Sequence, residues 1–170
     1  MHNPKADGHC GFRALALALG MSEDDHGMVK AQMHQYYISR KAFYVDELGY
    51  NHNQLIAVLQ DNSIHCPTTS WFYVPDCAQL AADTFGAVIV FLDMGGTGGE
   101  SCMYLPLGPF VQTAVPIGLS LSNEHFKCVK FNSGGNFPWP RLNPQHEPIR
   151  RKFNFVELAH VYSNPFSRSI

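Results

Sequence analysis

The chain has 170 residues, 45% of them apolar and 15% charged, with twelve Lys and Arg against fourteen Asp and Glu for a formal charge of −2. That length and apolar content describe one domain with a core of its own, and exclude a disulfide-held miniprotein or a disordered chain. No apolar run is longer than the six residues of Ala87 to Leu92, far short of the ~18–20 that a membrane span needs.

In chain order, Cys10 to Leu19 reads as a short apolar helix closed by Gly20, a favoured residue just past a helix end. Ser22, with Asp25 three residues on, starts a second helix through Val29, Met33, Tyr36 and Tyr37 to about Arg40. Asn53 can cap a third helix carrying Leu55, Ile56, Val58 and Leu59, and Asp76, just after Pro75, a fourth with Leu80, Ala81 and Phe85 on one face. The texture then changes. Ala87 to Leu92 is uniformly apolar and β-branched, as a central buried strand would be. Gly95 to Gly99 reads as a turn, and Cys102–Leu107, Ala114–Leu121 and His125–Phe131 as further strands. Helices first and strands afterwards predict an α+β domain with a small, mostly antiparallel central sheet. Between Gly134 and Pro148, four prolines and two glycines read as a loop or linker. Phe153 to Tyr162 reads as a last helix, which either packs on the domain or begins a partner-binding tail.

The charge is unevenly placed. Residues 1–131 hold seven Lys and Arg against twelve Asp and Glu, whereas residues 132–170 hold five against two. An acidic body argues against nucleic acid as the main partner, because phosphate binding needs a cationic surface. The five cysteines are Cys10, Cys66, Cys77, Cys102 and Cys128. An odd number without close spacing fits neither a disulfide framework nor a zinc site, so a reducing compartment, cytoplasmic or nuclear, is expected. No stretch reads as a signal peptide.

The segment that could carry chemistry is Asp7-Gly8-His9-Cys10-Gly11-Phe12-Arg13. A Cys that opens a helix after a turn-forming Asp-Gly meets free N–H groups and the positive end of the helix dipole. Both favour a thiolate, and the same N–H groups can hold an oxyanion. On spacing alone, a buried structural cysteine fits equally well. A thiolate nucleophile also needs a base, usually His. Of nine histidines, His125 heads a strand on a rigid scaffold far from Cys10 in sequence; His9 adjoins Cys10, but its ring is expected to point to solvent.

Together these segments resemble the ovarian-tumour (OTU) family of cysteine peptidases, which carries Asp-Gly-x-Cys followed by an aromatic and Arg near the start, and a His-aromatic pair opening a late strand. Here these are Asp7-Gly8-His9-Cys10, Phe12-Arg13 and His125-Phe126, with Trp71, Pro75-Asp76, Leu80-Ala81 and the Ala87–Leu92 strand between them. With Tyr104-Leu105-Pro106-Leu107 and Asn123-x-His125-Phe126, the pattern looks most like the transposon-associated OTU-like proteins of plants and fungi. The resemblance spans about Pro4 to Phe131. It implies a catalytic domain over residues 4–131, followed by a Pro-rich loop and C-terminal segment over 132–170. It implies a papain-like thiol mechanism with Cys10 as nucleophile and His125 as base and then acid. The reaction implied is hydrolysis of the isopeptide bond after the C-terminal glycine of ubiquitin or a related modifier. No cofactor or metal is implied. The expected partner is ubiquitin or polyubiquitin, with no nucleic acid and no membrane, and the chain is expected to be a monomer. Asp24, Asp25, Asp46 and Glu47 could contact the arginines of ubiquitin's tail, or form a solvated acidic face.

Two departures stand out. His9 occupies the position where the family usually has Asn. Many members also place Asp or Asn two residues after the His to orient the imidazole, and here that residue is Lys127. Asn123, two residues before His125, would share its face if the strand starts early. Asp7 is the acidic partner in many members, or it shapes the Cys loop. The competing reading is a catalytically weak OTU-like module that binds ubiquitin or another partner; a zinc-binding module is a distant third.

Overall fold

A computed structural model describes residues 1–95, 99–108, 115–131 and 139–153. The helices are α1 (Cys10–Ala18), α2 (His26–Ser39), α3 (His52–Gln60), α4 (Asp76–Phe85) and α5 (Glu147–Lys152), and the strands are β1 (Ile89–Asp93), β2 (Cys102–Tyr104), β3 (Ile117–Ser122) and β4 (His125–Val129). The α+β class is as expected.

The helix ends follow from local chemistry. After α1, Gly20 at φ +79 donates to the Leu17 carbonyl (3.1 Å) and Met21 to the Ala16 carbonyl (3.0 Å), the paired bonds that close a helix through a left-handed residue. Ser22 forms a reciprocal cap: its hydroxyl accepts from the Asp24 amide, and its own amide donates to the Asp25 carboxylate. A 3₁₀ turn at Glu23–Asp25 then leads into α2. The third helix is capped by Asn51, whose side chain accepts from the Gln54 amide at 3.0 Å, and not by Asn53. Asp76 is the first residue of α4 and makes no cap bond there. A π-helical turn at Phe43–Glu47 was not legible in the sequence.

The sheet order is β2-β1-β3-β4. β1 pairs antiparallel with β2 and parallel with β3, and β3 pairs antiparallel with β4. β2 reverses the chain on one side of β1, so β3, entering from the other side, runs parallel to β1. Ile89, Phe91, Leu119, Phe126 and Cys128 join the helices in the main core. Val88, Val90, Met103 and Leu105 form a second cluster with Leu142, Phe131 and Trp139. Apolar layers on both sheet faces explain why β1 reads as an unbroken apolar run.

Part of the stretch expected to be a loop is ordered against the body. Met103 and Asn143 exchange backbone bonds with residues 141 and 103, Pro144 begins a 3₁₀ turn, and Pro148 sits in the first turn of α5, where a missing N–H costs nothing. The buried His146 ring reaches Gln79 Oε1 at 2.8 Å. The Gln79 amide donates to Asp83, which also accepts from the Tyr44 hydroxyl and the Leu107 amide. The expected helix at Phe153–Tyr162 lies outside the described residues beyond Phe153.

Lys30 is fully buried above the Phe12 ring, and its ammonium donates to the Val58 (3.0 Å) and Asp61 (2.6 Å) carbonyls at the end of α3. Truncation would strip partners from two carbonyls and leave a void. Lys30→Ala is therefore expected to lower unfolding free energy by roughly 3 kcal/mol. A urea midpoint equal to the parent's would show that water replaces the ammonium.

Candidate active site

The loop before α1 is held by its own charges. One Asp7 carboxylate oxygen accepts the His9 amide at 3.0 Å, and both accept from Arg13 through Nε (3.2 and 3.1 Å) and Nη2 (2.6 Å). Arg13 lies three residues beyond Cys10, so α1 turns its guanidinium back under the loop. Its other nitrogen donates to the Glu23 carbonyl (2.9 Å) and to Asp24 (3.0 Å), tying the loop to the start of α2. Burial alone would raise the Asp7 pKa. The hydrogen bonds from Arg13 and the His9 amide, with the charge of Arg13, outweigh it and hold the carboxyl at about 2.

Gly8 adopts φ +86, and a Cβ there would come within 2.5 Å of the Cys66 carbonyl. Only glycine permits both the turn and this approach. Across the contact, the Cys66 amide donates to the Asp7 carbonyl (3.0 Å), and the Trp71 indole donates to the Cys66 carbonyl (3.1 Å). His9 departs from expectation: it is 2% exposed, not turned to solvent. Its Nε2 meets the Ser63 carbonyl at 2.8 Å, which makes Nε2–H the donor, and its Nδ1 has no partner among the described residues. The ring lies 4.6 Å from that of His26.

Cys10 is the first residue of α1 and is 8% exposed. Its Sγ accepts from the Phe126 amide at 3.5 Å, which brings the start of β4 onto the start of α1 across 116 residues. His125 precedes that amide, paired with Ser122 across the hairpin. The N–H groups of Phe126, Gly11 and Cys10 do favour a thiolate. Burial is the larger effect and, aided by the Asp7 charge, pushes the thiol pKa up. The expected lowering is thus not the resting condition of this thiol, because a helix terminus offsets only part of the loss of water.

Among the described residues, none of the candidates for orienting His125 bonds to its ring. Asn123 and Glu124 form the two-residue turn between β3 and β4, at φ 49 and 59, so β4 begins at His125 and Asn123 lies off the strand. Lys127 opposes Ser120, on the face that alternates with the buried Phe126 and Cys128. Asp7 is engaged by Arg13. Among the described residues the His125 ring has no hydrogen-bond partner. Of the candidate acidic contacts, Asp24 pairs with Lys5 and Arg13, and Glu47 with Lys152.

Next to Phe126, whose amide meets the thiol, lies a cavity of about 660 Å³ lined by Trp71, Phe72, Phe91, Leu121, Glu124 and Phe126 among others. No sequence periodicity announced it, since its walls come from five stretches far apart in the chain. Arg13 could have been assigned from sequence, because an Arg one helical turn beyond Cys10 must face the loop that holds Asp7. All five cysteines are free and buried. Among the described residues no group of three His, Cys, Asp or Glu could hold a metal ion, and no helix is long and apolar enough to cross a membrane.

No protein-family model matches the chain. No curated protein sequence matches it either. Among solved structures, the OTU domain of OTUD1 matches with a TM-score of 0.57 at 20% identity, over 77% of this chain and 84% of that one. The viral OTU domain protease from Dera Ghazi Khan virus matches with a TM-score of 0.49 at 18% identity, over 76% of this chain and 80% of that one. The likeness to the OTUD1 domain shows the fold: this chain is built like an OTU domain.

Proposed function

We propose that the protein is a thiol-dependent deubiquitinase of the OTU type, of the transposon-associated kind by its sequence pattern, with residues 4–131 as catalytic domain and 139–153 packed on it. The observation that supports this reading is the Phe126 amide on the Cys10 sulfur, in which the residue after a strand-heading His meets a helix-heading Cys in an OTU-like fold. Cys10 is the nucleophile and His125 the base. Asp7 acts by holding the Cys loop through Arg13.

In the reaction, His125 takes the Cys10 proton and the sulfur attacks the carbonyl carbon of ubiquitin's last glycine. The negative oxygen is met by N–H groups at the start of α1. Collapse of the tetrahedral intermediate expels the lysine amine, which takes the proton back from His125. Water, deprotonated by His125, then cleaves the thioester and frees Cys10. The partner is ubiquitin or polyubiquitin, the acting unit a monomer, and the compartment a reducing one. A second reading, an OTU-like module that binds without turnover, draws on the raised thiol pKa and on Lys127 at the usual orienting position.

Ubiquitin bearing a C-terminal thiol-reactive group separates the two. The expected result is a covalent adduct mapped by peptide sequencing to Cys10 and absent from the Cys10→Ala variant. Saturable binding without an adduct establishes the non-catalytic module, and label on another cysteine refutes the assignment of Cys10.

A further inference from the structure

The residue before Cys10 is held at both ends. The His9 amide donates to Asp7, and its buried ring donates through Nε2–H to the Ser63 carbonyl, 54 residues along the chain. Ser63 is held in turn. Its amide donates to the Asp61 carboxylate at 2.9 Å, and the Asp61 carbonyl accepts from the buried Lys30 ammonium. The start of α1 is thus placed partly by a side chain that is bonded to the segment after α3.

The His9 ring has a second neighbour. His26, the first residue of α2, lies with its ring 4.6 Å from that of His9 and tilted by 32°. The Nδ1 of each ring is buried and has no hydrogen-bond partner among the described residues. A Cβ on Gly27 would meet the Asn62 side-chain oxygen at 3.5 Å, so the segment after α3 also packs on the start of α2. The two rings therefore join the Cys10 loop, α2 and that segment.

Charge around the rings favours a neutral His26. Arg13 reaches in from α1, and the free N–H groups at the start of α2 add positive potential. Lys30 lies one turn further along α2, bound to the Val58 and Asp61 carbonyls. The nearby carboxylates are engaged: Asp7 with Arg13, Asp24 with Arg13 and Lys5, and Asp25 with the Ser22 amide. The Asp7 charge and the Glu23 carbonyl favour a proton on His26. Burial, the Arg13 charge and His9 oppose it and prevail, so the His26 pKa is lowered.

We infer that the His9–His26 pair positions the Cys10 loop and makes its closure depend on pH: the loop is held while His26 is neutral and released when His26 takes a proton. That the released loop carries a nucleophile rests on the proposed peptidase activity; the release itself does not. Linkage sets the sign. The closed loop binds fewer protons than an open one with His26 in water. Closure is fully favoured above the ordinary histidine pKa of about 6.5 and weakens as pH falls below it.

Trp71 reports on the loop, because its indole donates to the Cys66 carbonyl against Gly8. Its fluorescence is read in Trp139→Phe, which leaves Trp71 as the sole tryptophan, with far-UV circular dichroism as the measure of global unfolding. An emission change is expected between pH 7.5 and 5 at unchanged ellipticity. It should vanish in His26→Phe, which keeps a ring, and in His26→Gln, since neither side chain can be charged. The rate of adduct formation with the ubiquitin warhead gives a second readout. Both His26 variants should match the parent at pH 7.5 and exceed it roughly fivefold at pH 5.5, a comparison in which the titration of Cys10 and His125 cancels. His9→Phe, which strands the Ser63 carbonyl, should slow the adduct roughly tenfold at pH 7.5. His9→Gln, whose amide can donate in place of Nε2–H, should restore most of that rate.

An emission change with the same midpoint in the His26 variants, or none in the parent before unfolding, overturns the inference. So does a His9→Gln protein as slow as His9→Phe. An adduct at Cys10 alongside either result leaves the peptidase reading standing. An emission change that the His26 variants abolish, with no adduct at any pH, keeps the loop device and removes the peptidase.

Discussion

His125→Ala is expected to lower isopeptide cleavage by about 10³- to 10⁴-fold while leaving the melting temperature within a degree or two of the parent's. Nucleophile and base act as one unit, so loss of the base removes most of the catalysis they jointly supply. The fold should tolerate the change, because His125 is only half-buried, has no hydrogen-bond partner among the described residues, and heads β4 rather than filling the core. The pH profile carries a second signature. Burial raises the Cys10 pKa, so the free enzyme holds mostly thiol at neutral pH. Its kcat/KM should rise on the alkaline side as the thiol ionises. Steady-state cleavage of di-ubiquitin between pH 6 and 9 reads both effects. Turnover by His125→Ala near the parent's would remove His125 from the chemistry and leave the buried His9 as the next base. Lys127→Asn, which supplies an acceptor on the His125 face of β4, is expected to retain activity. Its inactivation would instead show that Lys127 builds the site.

Arg13→Ala should be nearly as damaging to activity, and for a different reason. Arg13 is 7% exposed and holds Asp7 through three contacts and the start of α2 through two more. Removing it strands a carboxylate beside the thiol and frees the loop that sets the first turn of α1. A stability loss of roughly 2–4 kcal/mol is expected, below the full cost of breaking a wholly buried pair because Asp7 keeps some contact with water. A double-mutant cycle with Asp7→Ala should give a coupling of about 2 kcal/mol. The pH dependence has a definite sign. Asp7 titrates at about 2 in the folded protein, against 3.8 for a free aspartate side chain. Its contribution is present above the unfolded pKa and lost as pH falls through the folded one. It amounts to at most about 2.4 kcal/mol, reduced by the water that reaches the carboxylate. Urea unfolding of the parent and of Asp7→Asn between pH 2 and 6 tests this. Parallel stability curves would show that the ion pair does not stabilise the fold.

Local patterns carried a good share of this protein. The apolar run through Ile89–Leu92 becomes β1, Gly20 closes α1, and Ser22 with Asp25 caps the entry to α2, because each depends on contacts within a turn or a strand. The pairing of an Asp-Gly-x-Cys loop with a late His-Phe was also visible, as a pattern of residues. Other features were decided only by chain segments meeting. The thiol's proton affinity depends on how deeply β4 and its neighbours bury it, and this burial outweighs the helix terminus. His9 turns inward because the Ser63 carbonyl and the His26 ring are there to receive it. Asn123 lies off the strand because a two-residue turn sets the register of β3 against β4. The cavity behind Phe126 is assembled from residues 71–75, β1, residues 99–104, the β3–β4 hairpin and residues 141–145. Short-range hydrogen bonding is encoded by neighbours in sequence; solvent exclusion and the walls of a cavity belong to the assembled fold.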